Sequence, residues 1–579
     1  MAFRICLVTP FAWSQPHDVN EHVAGVAQEL RALGHGVTIL ASSNRAKDLA
    51  AGRRALLAGA VEDGDLIALG PAVTISRRSR VAVPVGVRTN LALALERGRF
   101  DVVHGFEPAL PSLSYLALRD AQSLSVATFL SPERLSYPPG RAQREKLLGR
   151  IDVLLATSVE TAEAAAERFP GDYRIVSEGA DTSLFEPAEK RKTIVLEWRQ
   201  HERPLVRAVL HALAELPEWR LVLLRTKSLA GRPYVPRALL DRVEVRTARD
   251  GPSRAAILNE ASIFVPAPNG LSRLILEAAA AGAAVAAPTG AAEQPQLAAA
   301  EMGRLADDDG YRARRADSGR ADAARQSFAE VARELEEIYE GLRGRRRSTR
   351  RDADPLSNRE WVVVDLHSHT SASHDCQVPP ADLLDQADAE GLGALAVTDH
   401  NVFSGAREAV ELARDRDLLI IPGEEVKTDA QGEIIGLFLK HEIPRGMSFG
   451  DTIAAIKEQG GVVYLPHPFD RMHAIPDAAT LHRHLGAIDV FEVYNARLLF
   501  ETYNDEALRF ARKYNLTMGA GSDAHVLQGL GTGALRMRAF DGPEEFLFSL
   551  RTAEILRRPK SLLYLQSLKW AAQAKERVR

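Results

Sequence analysis

Residues 361–376 read WVVVDLHSHTSASHDC and place His367, His369 and Asp375 within nine positions, directly after an apolar run. His367 and His369 are two apart, so on an extended segment both side chains face the same way. One divalent cation at about 2.0–2.2 Å from each ligand would bridge that spacing. Such a pair is common by chance, and its weight comes from repetition. GALAVTDHN, LLIIPGEEV, GGVVYLPHP, DVFEVYN and LTMGAGSDAH each end a strand-like run on metal-capable residues: His400, Glu425, His467, Asn495, then Asp523 and His525. Ten of the sixteen histidines lie in residues 360–579. Scattered structural histidines would not fall repeatedly at one phase of a strand–helix repeat.

Helical patterns separate these runs, in PPADLLDQADAEG and over 405–416, 449–459 and 504–514, with EIIGLFL as a further strand. Strands alternating with helices predict a parallel sheet, and in a closed parallel barrel the carboxyl ends of all strands meet on one face. The candidate ligands are then brought together by the fold.

HSHTSASHD, TDHN, PGEE, LPHPF and GSDAH, in that order, resemble the motifs of the PHP (polymerase and histidinol phosphatase) family over about Val362 to His525. The resemblance implies a distorted (β/α)7 barrel holding two or three divalent metal ions. It implies His367, His369, Asp375, His400, Glu425, His467, Asp523 and His525 as ligands, with Asp375, His400 and Asp523 at the reacting centre and Arg497 on a substrate phosphate. Glu424 and His374 are the alternatives to Glu425 and Asp375, and the family's G-x-E pattern favours Glu425. Asp399 is expected to orient His400, Asn495 to meet metal or water, and Lys427 and Arg471 to lie near the rim. Mixed histidine and carboxylate ligands suit zinc, manganese or iron. Paired ions of this kind generate hydroxide from bound water, so no serine or cysteine nucleophile is required. Cys376 is expected to be a packing residue.

The N-terminal half alternates strand and helix. Arg4–Pro10, Gly36–Ala41, Phe100–His104, Leu124–Phe129, Val153–Thr157 and Arg174–Ser177 read as strands of a doubly wound domain, with a helix over Glu21–Gly34. A second series follows: Thr193–Leu196, a helix over Pro204–Leu216, then Arg220–Leu224, Val243–Arg246, Ile263–Val265 and Ala284–Ala287. NEHVAGVAQELRALGHGVTIL, FDVVHGFEPALPSLSYLAL, EGADTSLFEP, LILEAAAAGAAVAAP and QSFAEVARELEEIYEGL resemble retaining GT-B glycosyltransferases of the phosphatidylinositol-mannosyltransferase kind. That resemblance implies a nucleotide-sugar site in which Arg203 meets phosphate and Glu277 a ribose. Several positions depart from the family pattern. Asp18, Val19 and Asn20 stand where a glycine pair is usual, Trp198 replaces a basic residue, Asn269 a glutamate and Leu130 a histidine. The expectation is a glycosyltransferase-shaped module that has lost catalysis and binds a ligand, or simply scaffolds.

The expected organisation is two Rossmann-like domains at 1–187 and 188–343 (the second degenerate), a basic linker at 344–359 and a PHP domain with a C-terminal helix at 360–579. Six arginines lie within Arg343–Arg351, read as a solvated tether. The basic, leucine-bearing stretch Leu556–Arg579 is expected to dock on the protein, with peripheral membrane contact as the alternative. A net charge of −4 does not favour nucleic acid as a partner. Two cysteines, Cys6 and Cys376, cannot form a disulfide framework, and no run reaches about eighteen apolar residues. A cytoplasmic protein is expected. The function expected is metal-dependent hydrolysis of a small-molecule phosphate mono- or diester. The alternatives are a bifunctional protein with an active glycosyltransferase, or a non-catalytic regulatory scaffold.

Overall fold

The computed structural model describes residues 2–561 apart from 16, 59–65, 75–81, 200–202, 227–232, 268–271, 292, 348–354 and 559, together with 564, 567 and 568. Asn269 and most of the C-terminal basic stretch, Trp570 included, lie outside the described residues. The chain divides into two compact units, Met1–Gly341 and Leu342–Arg579.

The first unit holds two parallel sheets. β1 (Arg4–Val8), β2 (Gly36–Ala41), β3 (Leu66–Ala68), β4 (Val102–Phe106), β5 (Leu124–Phe129), β6 (Val153–Ala156) and β7 (Tyr173–Ile175) are ordered β3-β2-β1-β4-β5-β6-β7. β3 was absent from the sequence reading, because three residues carry too little periodicity to register. The second sheet contains β8 (Arg191–Glu197), β9 (Arg220–Arg225), β10 (Val243–Thr247), β11 (Ala261–Val265) and β12 (Ala284–Val285), ordered β10-β9-β8-β11-β12. Alternate residues of β8 go to opposite faces. Ile194 and Leu196 pack with Leu205, Val209 and Leu213, whereas Val195 packs with Phe264, Leu274 and Ala278. Both faces are covered, as a parallel sheet requires.

The helix Phe328–Arg343 returns to the first sheet. Its Tyr339 hydroxyl lies 2.7 Å from Nδ1 of His104, whose Nε2 is 2.6 Å from the Thr128 hydroxyl. His104 is fully buried and stacks on Phe106.

The second unit is a nine-stranded sheet made of β13 (Trp361–Asp365), β14 (Ala394–Val397), β15 (Leu419–Lys427), β16 (Glu433–Leu437), β17 (Val462–Leu465), β18 (Val490–Asn495), β19 (Thr517–Gly521), β20 (Gly533–Arg538) and β21 (Glu554–Arg557). Their order is β19-β18-β17-β16-β15-β14-β13-β20-β21. One apolar cluster takes Val364, Ala396, Ile421, Ile435, Tyr464, Val490, Ala520 and Leu535 from eight successive strands. A flat sheet cannot bring these together, so the sheet curls into a nearly closed barrel. At the closure, any side-chain carbon on Gly533 would collide with the carbonyl of Gly521. The barrel is not wholly parallel: β16 pairs antiparallel with both β15 and β17. The start of β16 therefore sits beside the carboxyl ends of its neighbours.

The opening of the linker is not a free tether. Arg347 donates to the carbonyls of Leu485, Ile488 and Asp489, and Arg346 to Asn515.

Burial drives His104 and His22 down to about 3, with neighbouring His22 and Arg273, respectively, adding to the effect. Both are depressed, so their stabilising contribution is complete above about pH 6.5 and is lost as pH falls toward 3. Each contributes a slope of up to about 1.4 kcal/mol per pH unit in that window. Denaturant unfolding between pH 7 and pH 4.5 should show the first unit weakening, and His104→Asn should flatten the dependence by about one proton.

Candidate metal centre

β13 delivers His367 and His369 beyond its last residue, both fully buried. β14 delivers His400, β15 Glu425, β17 His467, and β19 Asp523 and His525. Short parallel bridges, Ser368 with Ala524 and His400 with Glu425, carry the pairing into this polar layer. Four overlapping trios have ligand atoms within 4.8 Å of one another among the described residues. They are His369–His400–His525, His367–His467–Asp523, His367–His369–Glu425 and His400–Glu425–Glu433.

Glu425 lies at the centre, its Oε2 at 3.3 Å from His367 Nε2, 3.5 Å from His369 Nε2 and 3.1 Å from His400 Nδ1. Its Oε1 is 3.0 Å from His467 Nε2. Glu424, next on the strand, points the other way and accepts from the Ile443 backbone N–H at 2.9 Å. Asp523 Oδ1 is 3.4 Å from His369 Nε2, 3.3 Å from His525 Nδ1 and 3.4 Å from an Arg497 guanidinium nitrogen. Asp375 Oδ2 meets His525 Nε2 at 2.9 Å, and its Oδ1 is 3.8 Å from His400 Nε2. The His374 ring lies 5.6 Å from that of His400. All eight side chains expected as ligands thus belong to one cluster, and Arg497 borders it.

Supporting groups fix the loops. Asp365, fully buried, accepts from the backbone N–H groups of Ser522, Gly531 and His367 at 2.9, 3.0 and 3.3 Å. Asp399 accepts from Thr370 and from the Ser373 hydroxyl. Ser373 in turn is 3.3 Å from His369 Nδ1 and accepts from the His400 backbone. Asp399 therefore reaches His400 through Ser373. Asn495 directs its Nδ2 at Glu492 and Asp523, 3.1 and 3.3 Å away, and its Oδ1 accepts from the Arg497 backbone. Cys376 is buried and its thiol faces the carbonyls of His369 and His525, as a packing residue does. Lys427 and Arg471 are exposed. Asn401, His467 and Asp523 have φ of 53°, 26° and 53°. Such strained residues gather where surrounding contacts over-determine the backbone.

The electrostatics draw positive charge. Burial opposes protonation of His400 and His467, yet the adjacent Glu425 carboxylate holds both at about 9. Burial would also raise Glu425, but His367 and His400 hold it well below the usual carboxylate range. His369 goes the other way: burial and neighbouring His525 keep it well below 6.5. Among the described residues its buried Nε2 makes no hydrogen bond, and it faces the Glu425 and Asp523 carboxylates at 3.5 and 3.4 Å. A lone pair aimed between carboxylates fits a divalent cation and suits little else.

Two acidic members were not recognised from the sequence. Glu433 lies 3.9 Å from both His400 Nδ1 and His467 Nε2. It was missed because ligands were sought at carboxyl ends of strands, and only the antiparallel run of β16 puts its first residue there. Glu492 is 2% exposed and contacts His367 Nδ1 at 3.1 Å. Its signal was available, since DVFEVYN carries a carboxylate inside an otherwise apolar strand.

The first unit has a charge cluster of its own. Arg254 clasps Glu277 with two bonds of 2.6 Å and reaches Glu21, on the helix Asp18–Ala32, at 2.8 Å. Arg273 bonds the same two carboxylates. Asp18 meets His17 at 2.8 Å and Arg134 at 3.3 Å, and Arg134 continues to the buried Glu107. Glu277 lines a cavity of about 420 Å³ with Glu21, Arg254 and Arg273. Arg203 lines a different cavity, about 850 Å³, with Trp198, Arg207, His211 and Tyr234. The structure does not bring Arg203 and Glu277 together. Arg254→Ala would leave Glu21 and the buried Glu277 to Arg273 alone, and should destabilise the first unit by about 1–3 kcal/mol in denaturant unfolding.

Residues 365–509 match the PHP domain model, 501–555 the PHP-associated model and 19–184 the Glycosyltransferase Family 4 model. An uncharacterized protein of Methanocaldococcus jannaschii is 33% identical over 215 residues, spanning 35% of this chain and 85% of the relative. A phosphatidyl-myo-inositol mannosyltransferase of Propionibacterium freudenreichii is 28% identical over 211 residues, 35% of this chain and 52% of the relative. A glycosyltransferase structure from Rickettsia africae aligns with 58% of this chain and 98% of its own, at a TM-score of 0.43 and 15% identity. The chain thus carries a PHP domain with its PHP-associated segment in the second unit and a Glycosyltransferase Family 4 region in the first.

Proposed function

We propose that the second unit is a metal-dependent phosphoesterase acting on a small-molecule phosphate mono- or diester. The observation that carries this is the convergence of His367, His369, Asp375, His400, Glu425, His467, Asp523 and His525 into one buried cluster, in which His369 Nε2 makes no hydrogen bond among the described residues. These residues, with Glu433 beside them, would hold two or three divalent ions; zinc, manganese and iron suit the donor set. When bound, such ions supply Lewis acidity and a water that ionises near neutral pH.

The chain supplies the rest. Asp375 and His400 have side chains 26% and 14% exposed, against 0–1% for His367, His369 and Glu425, so substrate meets the cluster on the Asp375–His400 side. Arg497 is one-third exposed and anchored at 3.4 Å to Asp523. Its planar guanidinium fork suits two oxygens of a phosphate. In the overall reaction, a water oxygen bonds to phosphorus, the ester P–O bond breaks, and the leaving alcohol carries away a proton. The buried floor formed by His367, His369 and Glu425 keeps bulk water from the charged groups, which strengthens every interaction made there.

Replacing His367 and Asp523 together with alanine should remove bound metal, read by elemental analysis. It should also reduce hydrolysis of p-nitrophenyl phosphate and bis-p-nitrophenyl phosphate to background. Turnover that persists in the double variant would defeat the proposal.

For the first unit the reading is a ligand-binding module. The Arg203 cavity falls in the size range of small-molecule sites and combines arginines with Trp198 and Tyr234. That composition suits a nucleotide-sugar, whose phosphates need arginine and whose base needs an aromatic face. With Glu277 committed to two arginines, binding without transfer is favoured. Calorimetry with uridine and guanosine diphosphate sugars should give binding that Arg203→Ala weakens at least tenfold; no heat with any of them would remove the nucleotide-sugar assignment.

A further inference from the structure

β18 breaks its own alternation. Its pairing with β19 shifts register between Glu492 and Tyr494. A bulge of this kind re-aims a side chain. Glu492 and Asn495, three apart, consequently reach the same polar layer and bond each other, while Tyr494 stays in the apolar cluster. Glu492 is the end point of four contacts. Oε1 receives the Tyr464 hydroxyl at 2.8 Å and faces His367 Nδ1 at 3.1 Å. Oε2 accepts from the His467 backbone N–H at 2.6 Å and from Asn495 Nδ2 at 3.1 Å.

Three of these partners, His367, His467 and Asn495, lead into the metal centre. An ionised carboxylate only accepts, so the His367 nitrogen facing it must carry the hydrogen. The ring is then the Nδ1–H tautomer, and its Nε2, 3.3 Å from Glu425 and 3.9 Å from Asp523, is left as the ligand atom. His467 adopts its left-handed φ of 26° with its own N–H held by Glu492, while its Nε2 faces Glu425 at 3.0 Å. Asn495, fixed by Glu492, passes a second hydrogen to Asp523 at 3.3 Å. Space is equally constrained: a methyl group on Gly521 would collide with His367 and come within 3.1 Å of Glu492.

We infer that Glu492 is the positioning residue of the His367–His467–Asp523 half of the centre, setting the His367 tautomer, the His467 backbone and the orientation of Asn495 toward Asp523. The inference rests on the metal-dependent reading of this unit. It requires a residue that only accepts. Glutamine has the same shape, but its amide nitrogen would face two donors whichever way it is turned, because two donors stand at each oxygen position. Groups that orient metal ligands in this way typically contribute 10–100-fold to metal affinity.

The test uses the full chain, stripped of metal and titrated with Mn²⁺ by calorimetry. Glu492→Gln should bind its tightest ion 10–100-fold more weakly than wild type. Two-bond ¹H–¹⁵N spectra of histidine-labelled protein loaded with Zn²⁺, with His367 assigned from His367→Ala, should show Nδ1–H in wild type and its loss or mixing in Glu492→Gln. Affinity within twofold of wild type, or an Nε2–H tautomer for His367 in wild type, overturns the inference. The wild-type spectrum decides the matter even if the variant fails to fold. A wild-type chain that takes up neither Mn²⁺ nor Zn²⁺ would instead defeat the metal-dependent reading itself.

Discussion

Two carboxylates, Glu425 and Asp523, lie buried at the mouth of the barrel, and the organisation around them follows from that burial. A carboxylate removed from water must be met by positive charge or hydrogen donors, or it takes up a proton. Here the compensation comes from histidines converging from four strand ends, and from Arg497 at the margin. The same arrangement that makes the layer tolerable without a cation makes it receptive to one, since several imidazoles can release protons in exchange for metal.

Convergence demands a backbone that would not form on local preference alone. His467 and Asp523 sit at positive φ, a region unfavourable to residues with side chains. They are held there by hydrogen bonds whose acceptors lie deeper. Glu492 takes the His467 N–H, and Asp365 ties Ser522 to His367 just before Asp523. Strain at these positions is thus offset by two buried acceptors, Glu492 and Asp365. This links the sheet, which supplies the acceptors, to the chemistry, which uses the ligands.

In the first unit a comparable burial has the opposite functional consequence. Arg254 and Arg273 neutralise Glu21 and Glu277, and the four groups satisfy one another. A carboxylate held by two arginines is poorly disposed to bond a ligand hydroxyl. The GT-B architecture is preserved by its apolar periodicity, independently of whether its polar residues remain suited to transfer.

The sequence by itself determined most of the βα alternation in both units and which loops carry the candidate ligands His367, His369, Asp375, His400, Glu425, His467, Asp523 and His525. It could do so because side-chain period and strand-end position are local properties of the chain. Only the tertiary structure decided the rest. It turned β16 antiparallel and so brought Glu433 to the site, and it shifted the register of β18 after Glu492, so that Glu492 and Asn495, three apart, meet in one polar layer. It also put Arg203 and Glu277 in separate cavities. Strand direction, register shifts and ion-pair partners depend on residues tens to hundreds of positions apart, and no local pattern encodes them.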